Sequence, residues 1–144
     1  MKIELNEAEI NIFLKDMLRP PVKDLRVTIS DGTVTVAFAI TKGLIKYSDN
    51  FGFSIAGHGH NIILRVITPL KNNLINKISW IINPFIKQHL QKVPGIDSIS
   101  FFTKPGQTAA FSLEKVLSKQ ITDKFELKDI FTGDKKITIE LVPK

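Results

Sequence analysis

Hydrophobic and polar residues alternate along several segments of the chain, and this alternation predicts two β-hairpins. Apolar residues occupy every second position over residues 25–29, an Asp31-Gly32 turn follows, and the alternation resumes over residues 34–40. A second hairpin is predicted near the C-terminus, where residues 125–131 and 137–141 flank a polar turn. Because alternation is typical of strands with one buried face, we expect sheets with one face in water.

Further strands are predicted in the middle of the chain. Residues 51–55 and 62–66 alternate in opposite phases, and the phase changes at Gly57-His58-Gly59-His60, where the glycines permit a bulge or a turn. The polar segment 46–50 is interpreted as a connection, and residues 96–103 as a short strand. The chain has no regular alternation of strand and helix, which favours antiparallel pairing.

Two short helices are predicted in addition. Asn6 is a suitable cap for the first, with Glu9 as its reciprocal partner, and apolar residues follow at helical spacing up to Leu18. Pro20-Pro21 ends this helix, because proline disfavours helical geometry in the residue before it. Residues 113–121 carry the apolar stripe of the second.

The longest helical pattern extends from residue 70 to about residue 92. Its apolar residues form a single stripe roughly 140° wide. The stripe consists of Leu74, Ile75, Ile78, Ile81, Ile82, Phe85 and Ile86. Trp80, the only tryptophan, points to the opposite side, together with Lys77 and Lys87. A helix that faces a core does not need this Trp, so we expect a second layer, another subunit or a membrane interface to cover it.

The order of the elements predicts the fold class. It is helix, hairpin, further strands, long helix, strand, helix and hairpin. We therefore expect an α+β fold with a mainly antiparallel sheet, one long central helix and two shorter helices. A chain of 144 residues has the usual length of a single domain, residues 1–144, and is long enough to bury a core without disulfides.

Charge and composition narrow the classes of partner. The formal net charge is +6, which favours an anionic partner or a solvated basic surface. Only Arg19, Arg26 and Arg65 supply guanidinium groups, and the phenylalanines do not form a stacking platform between arginines, so a nucleic-acid partner is not expected. The chain has no cysteine, which excludes disulfides.

No targeting or membrane-spanning segment is recognised in the sequence. Its start lacks the apolar region of a signal peptide. The uncharged run over residues 78–86 is far shorter than the roughly 20 residues of a transmembrane helix. We therefore expect a protein that is cytoplasmic or peripheral at a membrane, and exported only if a leader precedes this sequence.

Signals for metal binding and catalysis are weak. His58 and His60 would share a face of a regular strand, and His89 or a carboxylate such as Asp49 or Asp97 would have to complete a metal site. The neighbouring glycines favour exposed loop histidines instead. The chain has no Gly-x-Ser-x-Gly elbow, phosphate loop or dinucleotide fingerprint. We therefore predict a protein that is not an enzyme and has no metal and no cofactor.

The apolar stripe of the long helix favours a lipid or another apolar small molecule as ligand. The predicted lining residues are Ile78, Ile82 and Phe85. Trp80, Lys77 and Lys87 match contact with an anionic membrane, with the indole at headgroup depth and the ammonium groups beside phosphates. The alternative is a protein-interaction or assembly domain that uses Trp80 and the long helix in a homo-oligomer or partner interface.

Four stretches of the sequence carry a resemblance to a known family. They are Leu5-Asn-Glu-Ala-Glu-Ile-Asn, Asp24-Leu-Arg-Val-Thr-Ile-Ser-Asp-Gly-Thr-Val-Thr-Val, Ile55-Ala-Gly-His-Gly-His-Asn-Ile-Ile-Leu-Arg-Val and the predicted central helix that ends in Val93-Pro-Gly-Ile. In this order, the pattern of the first 100 or so residues resembles bacterial members of the tubular lipid-binding (TULIP) superfamily. The resemblance implies a curved antiparallel sheet around a long helix, with lipid in the groove between them and no catalytic residues.

Overall fold

A computed structural model describes residues 1–71, 75–90 and 93–144, without the side chains of residues 58 and 75–77. The helices and strands are β1 (Lys2–Asn6), α1 (Glu7–Met17), β2 (Val22–Ser30), β3 (Thr33–Lys42), β4 (Ile45–His58), β5 (Asn61–Thr68), α2 (Ile75–Leu90), β6 (Thr108–Ser112), α3 (Lys119–Thr122), β7 (Phe125–Thr132) and β8 (Lys136–Pro143). Two 3₁₀ helices, Ile99–Thr103 and Leu113–Lys115, lie before and after β6. The protein is therefore α+β.

The strands form two antiparallel sheets. The larger has the order β2-β3-β4-β5-β6 and the smaller the order β1-β8-β7. The two predicted hairpins are confirmed as β2–β3 and β7–β8. The glycine-rich segment forms the turn between β4 and β5, where Gly59 has a φ of 62° that favours glycine. The predicted antiparallel α+β class is thus confirmed.

One face of the five-stranded sheet carries nearly all of its large apolar side chains. Cross-strand pairs place Leu25 opposite Phe38 and Ile29 opposite Val34, and the same face continues into β4. On the opposite face, Thr28 and Ala37 are exposed. The alternation read from the sequence therefore corresponds to a sheet with one packed face and one wet face.

Two separate clusters cover the two ends of the packed face. Near the β3–β4 turn, α2 packs against the sheet; the cluster includes Ile40, Tyr47, Val66, Ile78, Ile82 and Phe102. At the other end, the three-stranded sheet packs against it; this cluster includes Ile29, Val34, Ile62, Leu127, Ile130 and Ile139. The middle of the face lies between these two covers, and this is where a groove forms.

The prediction that residues 46–50 are a connection was wrong, because β4 begins at Ile45. Tyr47 is buried on the packed face, and its hydroxyl donates to the Asp49 carboxylate at 2.8 Å. Asp49 also accepts from the backbone N–H of Lys71. Burial, and then the Asp49 carboxylate, raise the pKa of the Tyr47 phenol, which keeps it a donor. Residues 46–50 form a strand in spite of their polar sequence, because the Tyr47 hydroxyl and the Asp49 carboxylate bind each other.

The predicted strand over residues 96–103 was also wrong. Ile99–Thr103 is a 3₁₀ helix, in which Ile99, Phe101 and Phe102 are all buried. A strand would send the two consecutive phenylalanines to opposite faces, whereas three residues per turn align Ile99 with Phe102. As a helical turn, the segment buries both phenylalanines together with Ile99.

The helices are shorter than predicted, and the described part of the chain contains no long central helix. The longest helix, α2, has 16 residues, and it begins after Leu70 and Lys71, which are not helical. Leu70 donates its N–H to the carbonyl of Phe102 at 2.9 Å, which holds this part of the chain against the 3₁₀ helix. Residues 72–74 and 91–92 of the predicted helix lie outside the described residues. The predicted helix over residues 113–121 is a 3₁₀ turn followed by the four-residue α3.

Candidate functional site: an apolar groove between α1 and α2

The candidate site is a groove over the middle of the packed sheet face, between α1 and α2. Leu25, Val36 and Phe51 form its floor on three neighbouring strands, and each of these side chains is only half-buried. Strand alternation directs them to the packed face, but neither α2 nor the three-stranded sheet covers them completely. The floor is therefore apolar surface that the core does not use.

Two cavities make up this groove. The first, of about 110 Å³, lies under α2 and reaches Val22, Ile82 and the 3₁₀ helix at Ile99. The second, of about 250 Å³, lies between the C-terminal part of α1 and the C-terminal part of α2. They share the lining residues Leu25, Val36, Phe51, Phe85 and Leu90. Because they share these lining residues, the two cavities adjoin each other, and the pair is called here the α1–α2 groove.

The structure places the predicted site residues in three different environments. Phe85 lines the α1–α2 groove, and so does Ile82, which is also a buried member of the α2 cluster. Ile78 is 1% exposed and belongs to the core, not to a cavity wall. Trp80 lies on the other side of α2, as its place off the stripe predicts, and its 58% exposure shows that no second layer of the described chain covers it completely. Lys87 is also exposed, and the side chain of Lys77 lies outside the described residues.

The second wall of the groove comes from α1 and was not predicted. Leu14, Met17 and Leu18 line the larger cavity. The sequence contains one signal for this wall, the apolar stripe of α1, although no residue of that helix is fully buried. A half-buried apolar stripe has surface left for a further contact. The facing wall of the cavity, at Phe85 of α2, is more than 60 residues away in sequence, so the sequence alone does not pair the two helices.

Polar side chains attach α1 to the edge strand β2. The Asn6 side chain caps the helix by accepting from Ala8, as predicted for that residue. Asn11 then bonds both backbone groups of Val27, accepting its N–H at 2.7 Å and donating to its carbonyl at 2.8 Å. Glu7 accepts the N–H of Ile29 at 2.8 Å. Side chains thus replace a neighbouring strand and fix α1 at the mouth of the groove.

Asn11→Ala is expected to lower the free energy of unfolding by about 1–3 kcal/mol, because both backbone groups of Val27 lose their partner. Urea denaturation measures the loss, and hydrogen exchange of the Val27 amide locates it. Lys15→Ala, at an exposed position of the same helix, is the matched control and should change little. Equal protection of Val27 in the two variants would contradict this attachment of α1.

The side chains that line the groove are almost all apolar. Among the described residues, no Asp, Glu, Lys or Arg lines either cavity, and the one polar ring is His89, whose centroid lies 4.4 Å from that of Phe85. Apart from the His89 imidazole, the described lining offers no side chain that commonly serves as a nucleophile, an acid or a base. It can exclude water from an aliphatic chain.

The described part of the chain contains no cluster of side chains that could bind a metal ion. His60 is exposed in the β4–β5 turn, and the side chain of His58 lies outside the described residues. Among the side chains that are described, no three His, Asp or Glu residues come close enough to share a metal ion. None of the described helices has the length and hydrophobicity required to cross a bilayer.

Comparisons with models of protein families, with curated proteins and with solved structures found no match. The resemblance to the TULIP superfamily therefore stays a prediction from the sequence pattern.

Proposed function

We propose that the protein binds the acyl chain of a lipid, or a similar apolar small molecule, in the α1–α2 groove and does not act on it as an enzyme. The observation that carries this proposal is the pair of adjoining apolar cavities with five shared lining residues. Small-molecule sites are typically concave and mostly apolar, which matches this surface. The absence of charged groups from the described lining supports binding over catalysis.

The dimensions of the groove suit a slender ligand. Apolar cavities of ~150 Å³ hold benzene, and the larger cavity alone is about 250 Å³. Together the two lie just inside the lower end of the ~300–1,000 Å³ that is typical of ligand sites. Each methylene group moved from water into such a surface contributes about 0.8 kcal/mol, so an acyl chain gains affinity with length until the groove is full.

The proposal agrees with what the TULIP resemblance implies, namely lipid held between a helix and an antiparallel sheet. It differs from that expectation in the walls of the groove. Here α2 is short, and α1 supplies the opposite wall through Leu14 and Met17.

Native mass spectrometry of the purified protein, stripped of lipid and then incubated with oleic acid, tests the proposal. We expect a 1:1 adduct whose ligand is recovered chemically unchanged. Only the bare polypeptide mass, before stripping and after incubation, would exclude the binding function. Recovery of a converted fatty acid would contradict its non-enzymatic part.

The alternative, an assembly domain that uses Trp80, has one observation in its favour, the 58% exposure of that side chain. Light scattering after size exclusion separates it from the proposal. A dimer that Trp80→Ala dissociates supports assembly, whereas a monomer that takes up oleic acid supports the α1–α2 groove.

A further inference from the structure

The turn between β3 and β4 presents an aliphatic side chain fully to solvent. Lys42 pairs with Ile45, so Gly43 and Leu44 are the two turn residues. Gly43 has a φ of 61°, which is typical of the first position of a type II′ turn and explains the glycine. It does not explain Leu44, whose exposure reaches 101%, or Ile45, which is 37% exposed. A polar residue would satisfy the turn equally well.

Trp80 lies beside this turn. The Lys42 ammonium nitrogen is 4.5 Å from the centroid of the Trp80 ring, which brings the indole of α2 next to the end of the hairpin. Leu44, Ile45 and Trp80 are therefore three exposed apolar side chains at one end of the five-stranded sheet. We call this surface, with Lys42 and Lys46, the hairpin end.

The excess positive charge of the protein is concentrated in the segment that contains the hairpin end. Residues 32–96 contain seven Lys and Arg residues and a single acidic residue, Asp49, so this segment accounts for the whole net charge of +6. The Asp49 carboxylate is occupied by the Tyr47 hydroxyl and by two backbone N–H groups. Two exposed lysines lie at or near the hairpin end. Lys46 pairs across the strands with Thr41, and the backbone N–H of Lys71 donates to the Asp49 carboxylate.

We infer that the hairpin end docks on an anionic phospholipid bilayer, with Leu44 and Trp80 entering the interface and Lys42 and Lys46 facing the phosphates. The inference rests on the proposed function, because it identifies the source of the lipid. Indole rings favour the headgroup region, where aliphatic side chains reach the acyl boundary and ammonium groups meet negative charge. A second copy of the chain would bring the same positive segment, so charge complementarity favours the bilayer over a dimer.

Flotation of the lipid-free protein with vesicles tests the inference. We expect binding to vesicles of phosphatidylcholine with phosphatidylglycerol, weaker binding to phosphatidylcholine alone, and loss of binding at high salt. The fluorescence of Trp80, the single tryptophan, should shift to the blue with the anionic vesicles.

Two variants of the hairpin end define the expected effects. Leu44→Ser should weaken vesicle binding by about tenfold or more, because the exposed side chain loses its burial in the interface. Lys42→Glu with Lys46→Glu should weaken it at least roughly 25-fold, since each lysine near an anionic surface contributes about fivefold. Both changes lie at exposed positions, and circular dichroism verifies the fold.

Matched controls lie at the opposite end of the same sheet. Val116 is 52% exposed, and Lys115 is exposed as well. Both lie near the β4–β5 turn, because the N–H of the nearby Leu113 donates to the carbonyl of His60 in that turn. Val116→Ser should leave vesicle binding unchanged, and so should Lys115→Glu with Lys119→Glu, which changes the net charge by the same amount as the hairpin-end double variant. The inference is overturned if the wild type does not float, if the hairpin-end variants bind like the controls, or if Trp80→Ala dissociates a dimer.

The outcomes separate docking from ligand binding. Leu44→Ser should still bind oleic acid in the absence of vesicles, because Leu44 does not line the α1–α2 groove. Docking without uptake of oleic acid would remove the proposed function and leave a membrane-binding surface. Uptake of oleic acid without docking would retain the groove and overturn this inference alone.

Discussion

Ile78→Ala should lower the free energy of unfolding by about 2–5 kcal/mol, the loss that is typical of truncating a large aliphatic side chain in a packed core. Ile78 is 1% exposed in the cluster that α2 forms with β3, β4 and β5. Its removal leaves a cavity that the sheet cannot close, since the floor strands are fixed by their hydrogen bonds. Urea denaturation followed by circular dichroism measures the loss.

Trp80→Ala is the matched comparison, because it lies two residues further along the same helix. Trp80 is 58% exposed and its ring faces the Lys42 ammonium group, so we expect a loss of about 1 kcal/mol or less. Similar losses in the two variants would contradict the division of α2 into a core side and a free side. A neutral Ile78→Ala would mean that the stripe faces an open space.

Val36→Trp should reduce the affinity for oleic acid at least tenfold while the protein stays folded. Val36 lines both cavities and is half-buried, so an indole at this position fills the place where they meet. In a fully packed core, added methylene groups alone cost about 1–3 kcal/mol, and an indole in place of Val costs more. We expect less here, because empty space receives the ring. Titration with oleic acid and thermal unfolding measure the two effects.

Val116→Trp is the control for this prediction, because it makes the same substitution at an exposed position outside the groove. It should bind oleic acid like the wild type. If Val36→Trp destabilises the protein by the full cost of overpacking and still binds the ligand, the binding site lies elsewhere. Vesicle flotation of Val36→Trp should be unaffected, which keeps this result independent of membrane docking.

Local patterns predicted much of the secondary structure, and their failures have identifiable causes. The hairpins β2–β3 and β7–β8 follow from alternation and turn chemistry within about 20 residues of chain. The start of β4 was missed because Tyr47 and Asp49 satisfy each other inside the fold. β1 and β6 were missed because each is five residues long and its burial depends on a partner strand distant in sequence.

The candidate site was predictable only in part. Helical spacing led to Ile82 and Phe85, which the structure places on the cavity wall, and to Ile78, which it places in the core. All three belong to one stripe, and spacing alone does not distinguish its packed part from its open part. The difference depends on how far α2 and the three-stranded sheet extend over the five-stranded sheet. Contacts between segments distant in sequence decide this.

The sequence by itself determined the phase of each confirmed strand, the stripe of α2 and the exclusion of Trp80 from that stripe, because these depend on neighbours one to four residues away. Only the tertiary structure decided that two covers share one sheet face and leave the α1–α2 groove between them. It also brought Trp80 beside Lys42 and the exposed Leu44. The two walls α1 and α2 lie more than 50 residues apart in the chain, and Lys42 and Trp80 lie more than 30 apart, so these contacts leave no local periodicity in the sequence.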